Sequence, residues 1–165
     1  MAEGNRLTVA KLTCNNAIIV ETIHYLRSAG RNQQECIVLW LGRRNAVTET
    51  LDIQEVRRPR QTARRDRFNI PPEEMAALKG YLREHRLMIG AQVHSHPAEA
   101  FHSLADDTGA IIRHVGALSF VLPWFASDVR VSSFLYDAAL FELQENNTWL
   151  EVSKDYAETK CQIIS

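Results

Sequence analysis

The sequence has 165 residues, of which 45% are hydrophobic and 24% are charged, and its formal net charge at pH 7 is -1. This length suffices for one domain with a sizeable hydrophobic core, and the composition is ordinary for a soluble globular protein. A net charge so close to zero excludes a general electrostatic attraction to nucleic acid or to membranes.

No apolar run reaches the roughly 18 residues that a membrane-spanning helix requires, and no secretory signal peptide is evident. The three cysteines, Cys14, Cys36 and Cys161, form no closely spaced metal-binding pair. Cys36 lies in a hydrophobic strand pattern and is expected to be a buried free thiol. We therefore expect a cytoplasmic protein with reduced cysteines and with no nucleic-acid or membrane partner.

Strand and helix patterns alternate along the chain. We expect a strand at 7–12, a helix at 17–30, a buried strand at 36–41, strands within 47–56, a helix from Pro71 with Met75, Leu78 and Leu82 on one face, and a strand at 88–96. A helix at 105–114 and elements at 118–122, 131–136, 140–143 and 149–152 follow. The sequence thus predicts an α+β (mixed α/β) domain over 1–152, with a central mixed β-sheet flanked by helices. Residues 153–165 are expected to form a C-terminal tail with little pattern.

The His-Ser-His-Pro motif at 94–97 is the most informative feature of the chain. Residues i and i+2 of a strand point to the same face, so His94 and His96 would present their imidazoles side by side. Pro97 cannot continue a central strand, and the chain must turn there.

A short loop leads from this turn through Ser103 to Asp106, in the first turn of the next predicted helix. Two imidazoles and one carboxylate form a three-ligand zinc set that leaves a fourth position for water, as in catalytic zinc sites. We therefore predict one zinc ion per chain, bound by His94, His96 and Asp106. Asp107 is an alternative ligand, because the sequence leaves room for a one-residue slip in the loop.

A glutamate opens the hydrophobic strand at 36–41. Glu35 is either a strand-edge charge that faces solvent or a carboxylate retained for function, and its neighbours in the sequence are compatible with both.

Taken together, these motifs resemble the JAMM (also MPN+ or JAB) metalloproteases, in the prokaryotic branch associated with ubiquitin-like conjugation operons. The family signature is a glutamate on an early strand, then His-x-His-Pro, then Ser-x-x-Asp, which Glu35, 94–97 and 103–106 match. Segment 116–126 is similar to the family's strand after the metal helix, and the resemblance covers roughly residues 10–150. It implies a JAMM/MPN-like (cytidine deaminase-like) fold.

The resemblance also implies an activity: a zinc isopeptidase that cleaves the amide bond after the C-terminus of a ubiquitin-like modifier, in precursor processing or deconjugation. Glu35 would act as general base and then general acid. Ser103 would donate a hydrogen bond to the developing oxyanion, although capping of the helix is a competing role. The implied partners are the ubiquitin-like protein, its conjugates, and the E1-like and E2-like proteins of a bacterial, antiphage pathway.

Two other functions stay open. One is a non-catalytic MPN scaffold or binding module, although such proteins normally lack the ligand set. The other is a JAMM hydrolase that acts on a small-molecule or sulfur-carrier conjugate.

Six arginines crowd one segment: Arg57, Arg58, Arg60, Arg64, Arg65 and Arg67. The segment is either a solvated loop or a surface for an acidic or carboxylate-bearing partner, which guanidinium groups bind bidentately. An insertion near this place in JAMM proteins helps to hold the distal ubiquitin-like protein. Nucleic acid is a weaker option, because no aromatic residues interleave with the arginines.

Overall fold

A computed structural model describes residues 11–65, 68–101 and 110–165. Within them, the helices are α1 (Asn16–Gly30), α2 (Pro72–His85), α3 (Phe134–Asp137) and α4 (Lys154–Lys160), with 3-10 turns at Trp124–Ala126 and Val131–Ser133. The strands are β1 (Lys11–Asn15), β2 (Ile37–Asn45), β3 (Thr50–Arg57), β4 (Thr62–Ala63), β5 (Phe68–Asn69), β6 (Met88–Ser95), β7 (Leu118–Leu122), β8 (Ala139–Leu143), β9 (Trp149–Glu151) and β10 (Cys161–Ile164). The predicted α+β class is confirmed.

Eight strands form one mixed sheet in the order β10-β1-β3-β2-β6-β7-β8-β9. β1 is parallel to β10 and β3, and β6 is parallel to β7, whereas the other neighbours are antiparallel. β4 and β5 form a separate small hairpin between β3 and α2. The central strands β2 and β6 are covered on both faces, which explains why β2 begins with a continuous apolar run.

The helices α1 and α2 cover opposite faces of these central strands. Val38 and Trp40 of β2 belong to the same buried cluster as Leu26 of α1. Leu39, the residue between them, packs instead with Leu78 of α2. Because side chains alternate along a strand, these contacts define an α1 face and an α2 face of the sheet.

Trp40 fixes α1 to the sheet. Its ring stacks on Phe134 with centroids 5.7 Å apart and lies 5.2 Å from Phe120. Its indole N–H donates to the Thr22 hydroxyl (2.9 Å), which in turn donates to the carbonyl oxygen of Ile18 (2.8 Å). Every polar group of this buried chain therefore has a partner, so burial of the indole leaves no unsatisfied donor.

The C-terminal residues differ from the sequence-based expectation. The segment predicted to be a tail with little pattern forms α4 and β10, and β10 pairs in parallel with β1 at the sheet edge. That expectation is wrong because Ala157 and Cys161 are buried in the α1-face core. Their apolar contribution is hidden in the sequence by the exposed residues between them.

The helix predicted at 105–114 does not extend over residues 110–114. Residues 105–109 lie outside the described ranges, and 110–114 are not helical. The Ile111 N–H donates to the side chain of Gln92 (3.0 Å), so it is not available to a helical carbonyl. Segment 131–136 forms a 3-10 turn followed by α3. None of the helices in the described ranges is long and apolar enough to cross a membrane.

Gly42 offers a test of the β2–β3 contact. A Cβ at this position would lie 2.4 Å from the Asp52 carbonyl oxygen, next to the register shift between Leu41 and Gly42. We expect Gly42→Ala to lower the free energy of unfolding by about 1–3 kcal/mol, the usual cost of overpacking. Gly80→Ala is the matched control: nothing lies within 4 Å of its Cβ position, and alanine in a helix interior should add roughly 1 kcal/mol. Urea denaturation measures the free energy of unfolding of both variants. A Gly42→Ala protein as stable as the wild type would contradict the close approach of β2 and β3.

Candidate active site

The two motif histidines meet at the end of β6. His94 and His96 are 0% and 2% exposed, and their Nε2 atoms lie 3.2 Å apart, with the rings inclined by 49°. Val93 packs in the α1-face core, so the next residue, His94, points to the α2 face. The structure thus brings the two imidazoles together, as expected for residues i and i+2.

The 3.2 Å contact between the two nitrogens has the length of a hydrogen bond, and it is also compatible with a shared zinc ion. Tetrahedral angles and Zn–N distances of about 2.0–2.1 Å place two ligand nitrogens about 3.3–3.4 Å apart. Within 11–65, 68–101 and 110–165, no group of three or more His, Cys, Asp or Glu side chains could hold a metal ion. The predicted site residues Ser103 and Asp106, and the alternative ligand Asp107, lie outside these ranges.

Glu35 lies on the same face as the histidines. Ile37 is opposite His94 in the β2–β6 ladder, and the Cys36 carbonyl accepts the Ser95 N–H at 3.2 Å. β2 begins at Ile37, and Cys36 packs in the α1-face core, so continuing the strand alternation back to Glu35 places that side chain on the α2 face. Glu35 is only 2% exposed, which excludes a strand-edge charge facing solvent. Burial of a carboxylate is costly, and such a group is kept where its surroundings or its function compensate.

The chain after β3 fixes the backbone beside Glu35. The Ile37 N–H donates to Gln61 Oε1 (3.0 Å), and Gln61 Nε2 donates to the Ile37 carbonyl (2.9 Å). The Arg64 carbonyl then accepts the Glu35 N–H at 2.9 Å. One side-chain amide and one carbonyl thus continue the hydrogen bonding of β2 beyond the end of β3.

Two phenylalanines contact the imidazoles. The ring centroids of Phe68, in β5, and His94 lie 5.8 Å apart. Those of Phe101 and His96 lie 4.6 Å apart, with the two rings edge to face. Phe68 is half-buried, whereas Phe101 is 52% exposed and lies on the solvent side. These apolar neighbours restrict the imidazole orientations and lower the local polarity around the nitrogen pair.

Gln92 supports the site and was not predicted from the sequence. It is 1% exposed and lies two positions before His94, on the same face of β6. Its Nε2 donates to Ser119 Oγ (3.1 Å), and its Oε1 accepts the Ile111 N–H (3.0 Å). Together with Phe101, it holds both described ends of the 102–109 segment on the histidine face. The available signal was a glutamine inside an apolar strand, in phase with the histidines.

Two arginines of the six-arginine segment are engaged within the chain. The Arg57 guanidinium lies 4.2 Å above the Tyr81 ring and 3.7 Å from Glu55. Arg60 forms ion pairs with the first turn of α2, 3.5 Å from Glu73 and 3.9 Å from Glu74. Both cations therefore have partners within the folded chain.

Three other cations of the segment, Arg58, Arg64 and Arg65, are exposed, and none forms an ion pair within the described residues. Arg67 lies outside those residues. Burial raises the pKa of the Cys36 thiol to about 11, and the positive charge of Arg58 acts in the opposite direction. Cys36 is therefore the buried, protonated thiol that the sequence predicts.

No family model matches the chain. It is 33% identical over 132 residues to the probable metalloprotease y4jG of Sinorhizobium fredii, with 78% of each chain covered. The solution structure of DSY2949 from Desulfitobacterium hafniense is similar in fold, with a TM-score of 0.66, 17% identity, and 93% of this chain and 92% of that chain covered. A solution structure from Salinibacter ruber has a TM-score of 0.53 and 15% identity, over 86% of this chain and 88% of that chain. At these identities the solved structures show a shared fold alone. The match to y4jG is extensive enough to show kinship: the chain belongs to the family of this probable metalloprotease.

Proposed function

We propose that this protein is a zinc-dependent peptidase of the JAMM/MPN type, which cleaves the amide or isopeptide bond after the C-terminus of a ubiquitin-like modifier. The observation that carries the proposal is the convergence of the His94 and His96 Nε2 atoms to 3.2 Å, on the face that also bears buried Glu35. Kinship with a probable metalloprotease supports a peptidase role.

The proposed zinc ligands are His94, His96 and Asp106. In the sequence, Asp106 lies between Phe101 and Ile111. The Phe101 ring contacts His96, and the Ile111 N–H donates to the Gln92 side chain. Both flanking residues lie on the histidine face of β6, which supports a ligand supplied by the intervening segment.

The proposed mechanism divides the chemistry between the metal and the chain. A bound zinc ion would supply a Lewis acid that polarises the carbonyl and acidifies a water molecule. The Glu35 carboxylate accepts a proton from the attacking water and delivers it to the leaving amine. Ser103 donates a hydrogen bond to the oxygen on which negative charge develops. Phe68 and Phe101 exclude bulk water from the imidazole pair, which strengthens these electrostatic interactions.

The proposed substrate class rests on the similarity of the motif set to prokaryotic JAMM proteins. The protein would then work with E1-like and E2-like proteins of a ubiquitin-like conjugation pathway, such as an antiphage system. The Arg64 carbonyl accepts the Glu35 N–H just before β2. The exposed guanidinium groups of Arg58, Arg64 and Arg65 offer contacts for acidic groups of the modifier. A buried carboxylate on the same face as two converging imidazoles favours a catalytic role over a non-catalytic scaffold.

The first test is metal content. Purified protein should hold about one zinc ion per chain, because three protein ligands make one site. His94→Ala, His96→Ala and Asp106→Ala should each lose most of it, as measured by elemental analysis after dialysis. Asp107→Ala is the matched control and should keep its zinc. Loss of zinc in Asp107→Ala but not in Asp106→Ala would show that the loop register is wrong by one residue.

The second test separates catalysis from metal binding. Glu35→Gln keeps the size of the buried side chain and should retain zinc and fold, yet turn over at least ~10²-fold more slowly, the scale of a lost general base. Ser103→Ala should slow turnover by ~10²-fold if it serves the oxyanion. Glu21→Gln, on the exposed side of α1, is the control for loss of a carboxylate. Near-normal turnover by Glu35→Gln would remove the proposed base and favour a scaffold.

The third test concerns the modifier. Replacing Arg58, Arg64 and Arg65 by alanine should raise KM for a ubiquitin-like conjugate, with zinc content unchanged and a much smaller effect on a short peptide. Loss of binding that is equal in the ground and transition states raises KM without lowering kcat. Arg57→Ala with Arg60→Ala is the control from the same segment, because both cations already have partners within the chain. Equal losses on both substrates, or none, would contradict a modifier-binding role.

A further inference from the structure

We infer that Arg27 and Gly30 of α1 are positioning residues for His96, and that they act through the turn at Trp124–Ala126. The inference rests on the proposed function in one respect: it takes His96 to be a zinc ligand. Neither residue touches the imidazole pair, and both lie on the helix that covers the other face of the sheet.

The turn has an unusual backbone. Trp124, Phe125 and Ala126 have φ angles of 52°, 53° and 57°, so three consecutive non-glycine residues are left-handed. Such a conformation is unfavourable for residues with a Cβ, and it normally occurs at single positions. A run of this kind persists only where the surrounding contacts impose it, and strain of this sort clusters at functional sites.

The strained turn binds the backbone that carries His96. The Phe125 N–H donates to the His96 carbonyl (2.8 Å), and the Trp124 N–H donates to the Ala98 carbonyl (2.9 Å). The His96 N–H donates to the Leu122 carbonyl (2.9 Å). Both backbone polar groups of His96 are therefore held by β7 and the turn that follows it, although His96 lies beyond the end of β6.

Contacts from helix α1 hold the turn in this conformation. Arg27 Nε donates to the Ala126 carbonyl (2.8 Å), and its Nη2 donates to the Val129 carbonyl. A Cβ on Gly30 would lie 2.4 Å from Phe125 Cβ, so the helix backbone and this side chain are in direct contact. The Arg27 guanidinium holds the carbonyl groups of Ala126 and Val129, and the missing side chain of Gly30 leaves room for Phe125.

A small shift of this turn would move His96 relative to His94. Metal sites require their ligands within about 0.5 Å of the productive geometry. A side chain added at Gly30, or removed at Arg27, should displace the Phe125 N–H and with it the His96 carbonyl. The predicted result is a folded protein with a weakened metal site.

The experiment compares Gly30→Ala, Arg27→Ala and Arg27→Lys with the full-length wild type. Zinc affinity is measured by competition with a chromophoric chelator, and the thermal midpoint of the zinc-free protein reports stability. Thr22→Val is the matched control: it breaks the hydrogen bond from Trp40 to the same helix without touching the turn. We expect zinc affinity to fall about 10–100-fold in Gly30→Ala and Arg27→Ala, the usual effect of losing support around a ligand. Arg27→Lys should recover part of it, and Thr22→Val should lose stability alone.

A second readout requires no metal. In the zinc-free wild type, the Phe125 amide should exchange slowly with solvent, and the His96 imidazole should give one sharp NMR signal. Gly30→Ala and Arg27→Ala should abolish both features, and Thr22→Val should abolish neither. If the wild type binds no zinc, the proposed function fails, and these two signals still decide the positioning role. Unchanged zinc affinity in folded Gly30→Ala and Arg27→Ala, an equal loss in Thr22→Val, or rapid Phe125 exchange in the wild type would each overturn the inference.

Discussion

The pairing of β2 with β6 is the constraint on which the candidate site depends. It sets Ile37 opposite His94 and bonds Cys36 to Ser95 across 59 positions of sequence. A shift of one residue in this register would turn Glu35 away from the histidines, because neighbouring side chains of a strand point to opposite faces. The register is held by burial on both faces: Trp40 packs towards α1, and Leu39 packs towards α2.

The sequence predicted the parts of this arrangement that follow from local geometry. Continuous apolar runs identified β2 and β7, since both strands are buried on their two faces. The proximity of His94 and His96 follows from the two-residue period of a strand. In contrast, nothing in the spacing from Glu35 to His94 shows that they share a face. Their common face depends on the long-range pairing of β2 with β6. It was expected only because the motifs resemble those of a known family.

Other features escaped prediction because they depend on side chains that replace backbone hydrogen bonds. The side-chain amide oxygen of Gln92 accepts the Ile111 N–H within the non-helical course at 110–114. The C-terminal strand escaped for a different reason. An edge strand with few buried residues has a weak apolar signal, and β10 is defined mainly by its neighbour β1.

The amide of Gln61 has a consequence for how any polypeptide could reach the site. Many proteins that grip extended peptides do so by strand addition, in which the guest bonds to free N–H and C=O groups along a sheet edge. At the end of β2 next to Glu35, the edge that β3 leaves open is already occupied: Gln61 uses both backbone groups of Ile37, and Arg64 uses the N–H of Glu35. A guest chain cannot lengthen the sheet there. A polypeptide that reached the imidazoles would have to bind through groups other than this edge of β2.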